Sequence, residues 1–117
     1  MHRGWLAAVG VALLGGVATG ASGQEHADRG NAAAGREYAL HNCESCHVVA
    51  ANQDLRPLIP GYAPSFSEIA NRPTTTAESL RVFLSHPHAY GNMPYPDLGA
   101  RDLADLVAYI SSLRGKQ

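Results

Sequence analysis

Hydrophobic residues along the chain recur at helical spacing, most regularly near the C-terminal end. From Ala100 to Leu113 the apolar residues fall three or four positions apart, and Gly115 follows as a stop signal. The members of this stripe are Leu103, Leu106, Val107, Ile110 and Leu113. Nowhere does a segment of strand length alternate apolar and polar residues. The pattern therefore predicts an all-α fold with an amphipathic last helix.

A further helix is predicted from Asn31, whose side chain can cap the first turn. Gly35, Tyr38 and Ala39 then share one face at helical spacing. A glycine inside a helix costs about 1 kcal/mol relative to alanine. Gly35 is therefore either simply tolerated or allows another backbone to come close, and the sequence leaves both alternatives open.

Two short helices are predicted in the middle of the chain by the capping pattern in which Ser or Thr is followed three residues later by Glu. Ser65 is followed by Glu68 in the first helix, and Thr75 by Glu78 in the second. Each helix is expected to end before a proline. Their apolar positions are Phe66, Ile69 and Ala70 in the first helix and Leu80, Phe83 and Leu84 in the second.

Long irregular segments separate these helices. Residues 52–64 and 85–99 are rich in proline and glycine, which favour turns over regular structure. The sequence therefore predicts a small domain of about four short helices with long ordered loops between them.

The first 23 residues have the composition of an export signal. A basic start that includes Arg3 precedes an uncharged run from Trp5 to Gly23, which ends in small residues. An uncleaved anchor is the alternative, because the run approaches the roughly 18 residues that can cross a bilayer. We expect cleavage after Gly23, so that residues 1–23 are a signal peptide, 24–30 a mobile leader and 31–117 the folded domain. Membrane contact is expected only if the segment stays uncleaved.

Size and charge limit what the domain can do. Removing 23 residues from 117 leaves 94, enough for one small domain whose hydrophobic core is marginal unless something is added to it. The formal net charge is −1, and Lys116 is the single lysine. There is no basic stripe interleaved with aromatic residues, so nucleic-acid binding is not expected. A buried prosthetic group would supply the core that such a loop-rich chain needs.

The only two cysteines, Cys43 and Cys46, stand in "CESCH", directly before His47. A disulfide closing so short a loop would remove little unfolded-state entropy, and a zinc ion would need a distant fourth ligand. Two thiols at this spacing can instead add to the two vinyl groups of one haem, with the following histidine bound to its iron. We therefore expect one haem c attached through Cys43 and Cys46.

The second axial position of the iron has several candidate occupants. Met93 is the single methionine after the signal peptide, and it stands in the polar, turn-rich "YGNMPYP", where a methionine that merely fills the core is less expected. The rivals are His86 and His88, which can also be solvated or capping residues near a helix end. Ligation by Met93 is the preferred hypothesis, and histidine ligation or an open site is the alternative.

In their order along the chain, these features resemble those of class I c-type cytochromes, which are small soluble monohaem electron carriers of bacterial periplasms and related compartments. The resemblance covers essentially all of the chain after the signal peptide. Its elements are the helix with Gly35 and Tyr38, the attachment motif, "APSF" at 63–66, a "PH...MP" loop at 87–94 and "LADLVAYISSL" at 103–113. A periplasmic location is implied.

The resemblance also implies roles for individual residues. The first and last helices are expected to cross, with Gly35, Tyr38 and Tyr109 at the contact. A hydrogen bond from the axial histidine is expected to be accepted near Pro64, with Pro57 as the reserve. Aromatic residues are expected around the haem, namely Phe66, Tyr62, Phe83 and Tyr95. The chain departs from the family pattern in having Gly99 where Ser or Thr often caps the last helix, and in lacking a ring of lysines.

The expected function is reversible one-electron transfer with redox partner proteins, which dock transiently at the haem edge. No enzymatic reaction and no small-molecule substrate are expected. One alternative is a dedicated cytochrome subunit or electron acceptor of a periplasmic dehydrogenase complex. A third hypothesis, an open-site haem sensor or enzyme, requires that Met93 does not bind the iron.

Overall fold

A computed structural model of the chain describes Met1 and residues 29–86, 93–94 and 96–116. The described residues hold four complete helices, α1 (Ala32–Asn42), α2 (Phe66–Asn71), α3 (Ala77–Ser85) and α4 (Ala100–Ser112). No strand occurs in the described residues, and the all-α prediction is confirmed. The predicted signal peptide after Met1 and most of the predicted leader lie outside the described residues, as do His88 and Tyr95.

Three of the four described helices begin where local side chains satisfy their first amides. The Asn31 side chain accepts hydrogen bonds from the amides of Ala33 and Ala34 at 2.9 and 3.1 Å, which confirms it as the cap of α1. The predicted capping pair is present at α2, where the side chains of Ser65 and Glu68 each accept from the other's backbone amide. At α4, Gly99 occupies the cap position and makes no side-chain bond.

The predicted start of α3 is wrong by one residue. Thr76 rather than Thr75 is the cap, and its reciprocal partner is Ser79 rather than Glu78. The backbone amide of Thr75 instead donates to the Arg72 carbonyl in the preceding turn. The run of three threonines offers several possible starts, and that turn selects the last of them.

Helices α1 and α4 cross in close contact, and Gly35 is the reason that they can. A Cβ atom on Gly35 would lie 2.0 Å from the carbonyl oxygen of Asp105. Gly30, which has a φ of +68°, is just as close to the backbone of Ala104. Of the two alternatives for Gly35, the structure therefore selects close approach of another backbone, and the packed contacts of the domain extend back to Gly30.

Helix α4 is the centre of the described fold, because each of the other three helices packs against it. Its predicted stripe lies towards the core, with Leu106, Val107 and Ile110 fully buried. Of the predicted apolar positions of α3, Leu80 and Leu84 are buried, but Phe83 is 52% exposed. Leu80 and Leu84 are one turn apart and face the core, whereas Phe83 lies on the flank of the helix. None of the helices described is long and apolar enough to cross a membrane.

Candidate functional site

The segment "CESCH" forms a tight turn directly after α1. The amide of Cys43 still donates to the Ala39 carbonyl at 2.8 Å, so this cysteine closes the helix. The amides of Cys46 and His47 then both donate to the Cys43 carbonyl, at 3.2 and 2.9 Å. This turn brings both sulfur-bearing residues and the histidine into one short, hydrogen-bonded piece of backbone.

Both cysteines are free thiols and are partly buried. Burial raises the pKa of Cys43 to about 11, and the neighbouring Cys46 adds to the effect. The environment therefore favours a neutral sulfur at residue 43 over a thiolate. A thioether sulfur is also neutral, so this position fits covalent attachment of an apolar group.

His47 is 7% exposed, and its ring hydrogen-bonds to the backbone of a distant loop residue. Its Nδ1 lies 2.7 Å from the carbonyl oxygen of Pro64. Because a carbonyl oxygen only accepts, Nδ1 carries a proton and donates, so in the neutral imidazole Nε2 is the nitrogen with the lone pair. A neutral imidazole that donates through one nitrogen and binds through the other is the usual arrangement of a metal-ligating histidine.

Pro64 reaches His47 because the segment before α2 runs beside the histidine. The amide of Phe66 donates to the carbonyl of Val48 at 2.9 Å. The Phe66 ring is buried, with its centre 5.4 Å from that of His47 and its plane tilted by 59°. The hydrogen bond predicted at Pro64 is thus present, while Pro57, the reserve, is not the acceptor.

The loop after His47 is organised by Gln53, which the sequence did not single out. Gln53 is only 6% exposed. Its Oε1 accepts from the amides of Val49 and Ala50 at 2.6 and 3.1 Å. Its Nε2 donates to the carbonyls of His47 and Leu55 at 3.3 and 2.7 Å. One side chain therefore satisfies four backbone groups around the histidine.

Tyr109 connects α4 to the same loop. Its hydroxyl donates to the carbonyl of Val49 at 2.7 Å, and its ring lies 6.3 Å from that of Phe66. Tyr109 is buried and Tyr38 is half-buried against the core, beside the helix crossing at Gly35. Tyr109, which was expected at the crossing of α1 and α4, thus also supports the backbone next to His47.

Met93 is half-buried and packs against the hydrophobic core. Its neighbours 87–92 and 95 lie outside the described residues, so the structure gives no geometry for the loop as a whole. The rival His86 is exposed and bonds through Nδ1 to the Val82 carbonyl at the end of α3, at 2.9 Å. His41 is likewise exposed and bonds to the Glu37 carbonyl. Of the histidines described, His47 alone is buried.

Several large apolar side chains are exposed on the described surface. They are Leu55, Leu58, Ile59, Tyr62, Val82 and Phe83. Four of them belong to the loop that follows the attachment motif, and the amide of Leu58 donates to the Ser45 carbonyl inside that motif. A large apolar group attached at Cys43 and Cys46 fits such surroundings.

Comparison with known proteins gives a consistent result. The family model for cytochrome c matches residues 32–114. The chain is 38% identical over 105 residues to cytochrome c-552 of Bradyrhizobium diazoefficiens, which covers 90% of this chain and 93% of the relative. It is 31% identical over 98 residues to cytochrome c of Tetrahymena pyriformis, covering 72% of this chain and 90% of the relative. No solved structure matches the chain significantly. The chain therefore belongs to the cytochrome c family, as a class I c-type cytochrome.

Proposed function

We propose that this protein is an exported one-electron carrier whose haem c is held through Cys43 and Cys46 and whose iron is bound by His47 and Met93. Proteins of the cytochrome c family are electron carriers with covalently bound haem, so membership supports the cofactor and the type of reaction. The finer assignments rest on the residues of this chain.

The observation that carries the proposal is the hydrogen bond between His47 Nδ1 and the Pro64 carbonyl. It fixes the tautomer of a buried imidazole and leaves Nε2 as the one nitrogen able to bind a metal. The bond also makes Nε2 more electron-rich, which favours the ferric state of a bound iron.

Met93 is proposed as the second iron ligand because it is the one thioether after the signal peptide and lies half-buried against the core. When bound, the haem supplies an iron that accepts and returns one electron. A soft, neutral thioether favours the ferrous state, opposing the effect of the His47 hydrogen bond. With both His47 and Met93 bound, the iron would have no free position for a substrate, so a substrate reaction at the iron is not part of the proposal.

The surroundings of His47 support its use in electron transfer rather than in proton transfer. Val49 and Phe66 are buried beside it, and its Nδ1 proton is committed to a carbonyl that cannot take the proton away. The imidazole is therefore held in one orientation. Little rearrangement would accompany a change of charge at a bound iron.

Export to the periplasm is proposed from the first 23 residues, with cleavage after Gly23 and residues 24–30 as a leader. Redox proteins are the proposed partners, with transient docking at the haem edge. A single lysine and a formal net charge of −1 argue against steering by a strong positive field. Association rates are therefore expected to depend only weakly on salt.

The absorption spectrum of the protein purified from a periplasmic fraction tests the proposal. We expect a c-type haem spectrum with the weak long-wavelength band of sulfur bound to ferric iron. Met93→Ala should remove that band, lower the reduction potential and allow carbon monoxide to bind ferrous iron. The matched control is the double variant His86→Ala with His88→Ala, which removes both rival ligands and should leave the band unchanged. Retention of the band in Met93→Ala would refute Met93 ligation, and absence of covalent haem would refute the function.

A further inference from the structure

Gln53 is a buried polar residue whose bonding reaches the iron-binding histidine. Glutamine is usually exposed, and burying its amide is unfavourable unless the polar atoms find partners. At Gln53 both atoms of the amide do so, with two donors bound to Oε1 and two acceptors bound to Nε2. Such complete bonding makes the side chain a rigid crosslink within the loop.

The partners of Gln53 lie at and just after His47. They include the carbonyl of His47 itself and the amides of Val49 and Ala50. Two other groups hold the same backbone, because Phe66 donates to the Val48 carbonyl and Tyr109 to the Val49 carbonyl. Among these three supports, Gln53 is the one bonded to the histidine.

The opposite end of the loop holds the acceptor for the imidazole. The Nε2 of Gln53 also donates to the Leu55 carbonyl, so the side chain joins the start of the loop to the part that leads on to Pro64. The Pro64 carbonyl then lies 2.7 Å from His47 Nδ1. One side chain thus joins the backbone of His47 to the first part of the loop that ends at Pro64.

We infer that Gln53 is a positioning residue, which holds His47 so that its Nδ1 proton points at the Pro64 carbonyl and thereby sets how strongly the imidazole donates to iron. The inference rests on the proposed function, in which His47 binds the haem iron. A weaker Nδ1 hydrogen bond would make the imidazole a poorer donor and would favour the ferrous state. Gln53 would then influence the reduction potential without touching the haem.

The variant that tests this is Gln53→Met, which keeps an unbranched side chain of similar length and removes the amide. We expect the reduction potential to rise, and the Nδ1 proton of His47 to exchange with solvent roughly tenfold faster or more. Asn52→Ala is the matched control, because Asn52 is the exposed neighbour and bonds to Arg36. Its potential and its His47 exchange rate should equal those of the wild type.

A general loss of stability is separated from positioning by Thr76→Ala, which removes the cap of α3 far along the chain from the loop. It should destabilise the protein without changing the potential. A wild-type potential and exchange rate in Gln53→Met would overturn the inference. So would an equal change of potential in Thr76→Ala at an equal loss of stability.

The wild-type protein gives a second test if Gln53→Met does not accumulate. The amides of Val49 and Ala50 should exchange at least roughly 100-fold more slowly than those of exposed loop residues such as Asp54. Exchange as fast as that of Asp54 would overturn the inference. Failure of the proposed function is distinguishable, because the wild-type spectrum would then lack the His–Met signature while protection of these two amides is measured independently.

Discussion

Gly35 in α1 faces the carbonyl oxygen of Asp105 in α4 so closely that a Cβ atom at residue 35 would lie 2.0 Å from it. The obstacle is helix backbone, which cannot rotate away as the end of a side chain could. The carbonyl carbon of Asp105 and the amide nitrogen of Leu106 are also within 3 Å of that position. The two helices therefore cross at this distance only because residue 35 has no side chain.

Gly35→Ala should destabilise the protein by about 2–3 kcal/mol, because overpacking outweighs the roughly 1 kcal/mol that alanine gains in helix propensity. Guanidinium unfolding of the oxidised protein measures the change. Gly99→Ala is the control, since its Cβ would meet only the Asp102 side chain, at 3.5 Å. The control should lose less than about 1 kcal/mol. Equal losses in the two variants would contradict the packing argument.

Asp105 supports the same crossing through its side chain. Its Oδ1 accepts from the backbone amide of Asn31 at 2.5 Å, and the residue is 6% exposed. Arg101 is 4.0 Å away and its side chain is mostly exposed, so this ion pair contributes little. The hydrogen bond to the cap of α1 is therefore the main role of the carboxylate.

Asp105→Ala should cost about 1–3 kcal/mol, because the Asn31 amide loses its acceptor in a partly buried place. Asp105→Asn keeps an oxygen there and should cost clearly less. Urea unfolding of both variants separates the hydrogen bond from the charge. If both changes cost the same, the charge of Asp105 rather than its hydrogen bond is what matters.

Local features of the fold were predictable because they depend on neighbours in sequence. The capping residues Asn31 and Ser65 and the apolar stripe of α4 are each specified within one or two helical turns. The start of α3 was predicted one residue too early because the choice between Thr75 and Thr76 depends on the preceding turn. For Gly35, the sequence showed an unusual residue, but the reason lies on another helix.

The residues of the candidate site also fall into two groups, those that could be predicted from the sequence and those that could not. Cys43, Cys46 and His47 were predicted from their spacing, and the hydrogen bond at Pro64 from a resemblance to a family. Gln53 and Asp105 carried no local signal, because a polar residue is buried only where the folded chain leaves backbone groups without partners. Those groups belong to His47, Val49, Ala50 and Leu55 in one case and to Asn31, 74 positions away, in the other. Such partners become visible only once the loops are in place.

Tyr109→Phe tests the connection between α4 and the loop after His47. The change leaves the buried carbonyl of Val49 without its donor, so we expect a loss of about 1–3 kcal/mol in the free energy of unfolding. Tyr62→Phe is the matched control, because Tyr62 is half-exposed, and it should change stability by less than about 0.5 kcal/mol. A loss of similar size in both would mean that the Tyr109 hydroxyl does not support the loop.

The capping pair of α2 predicts a pH dependence of stability. Hydrogen bonding from Ser65, first through its backbone amide and then through its side chain, lowers the pKa of Glu68 from its ordinary value of 4.5. A carboxyl group whose pKa is lower in the folded state stabilises that state above its unfolded pKa, and the contribution is lost as the pH falls through the folded pKa. Glu68 therefore adds to the loss of stability below about pH 4.5.

Glu68→Gln should reduce the loss of stability at acid pH, because glutamine can still accept from the Ser65 amide but does not titrate. We expect the fall in Tm between pH 6 and pH 3 to be smaller in the variant than in the wild type. Glu78→Gln is the control, since Glu78 belongs to no capping pair in α3, whose cap bonds are made by Thr76 and Ser79. The Tm of Glu78→Gln should fall between pH 6 and pH 3 by as much as that of the wild type. An equal fall in the Tm of Glu68→Gln would mean that the capping carboxylate does not contribute to acid unfolding.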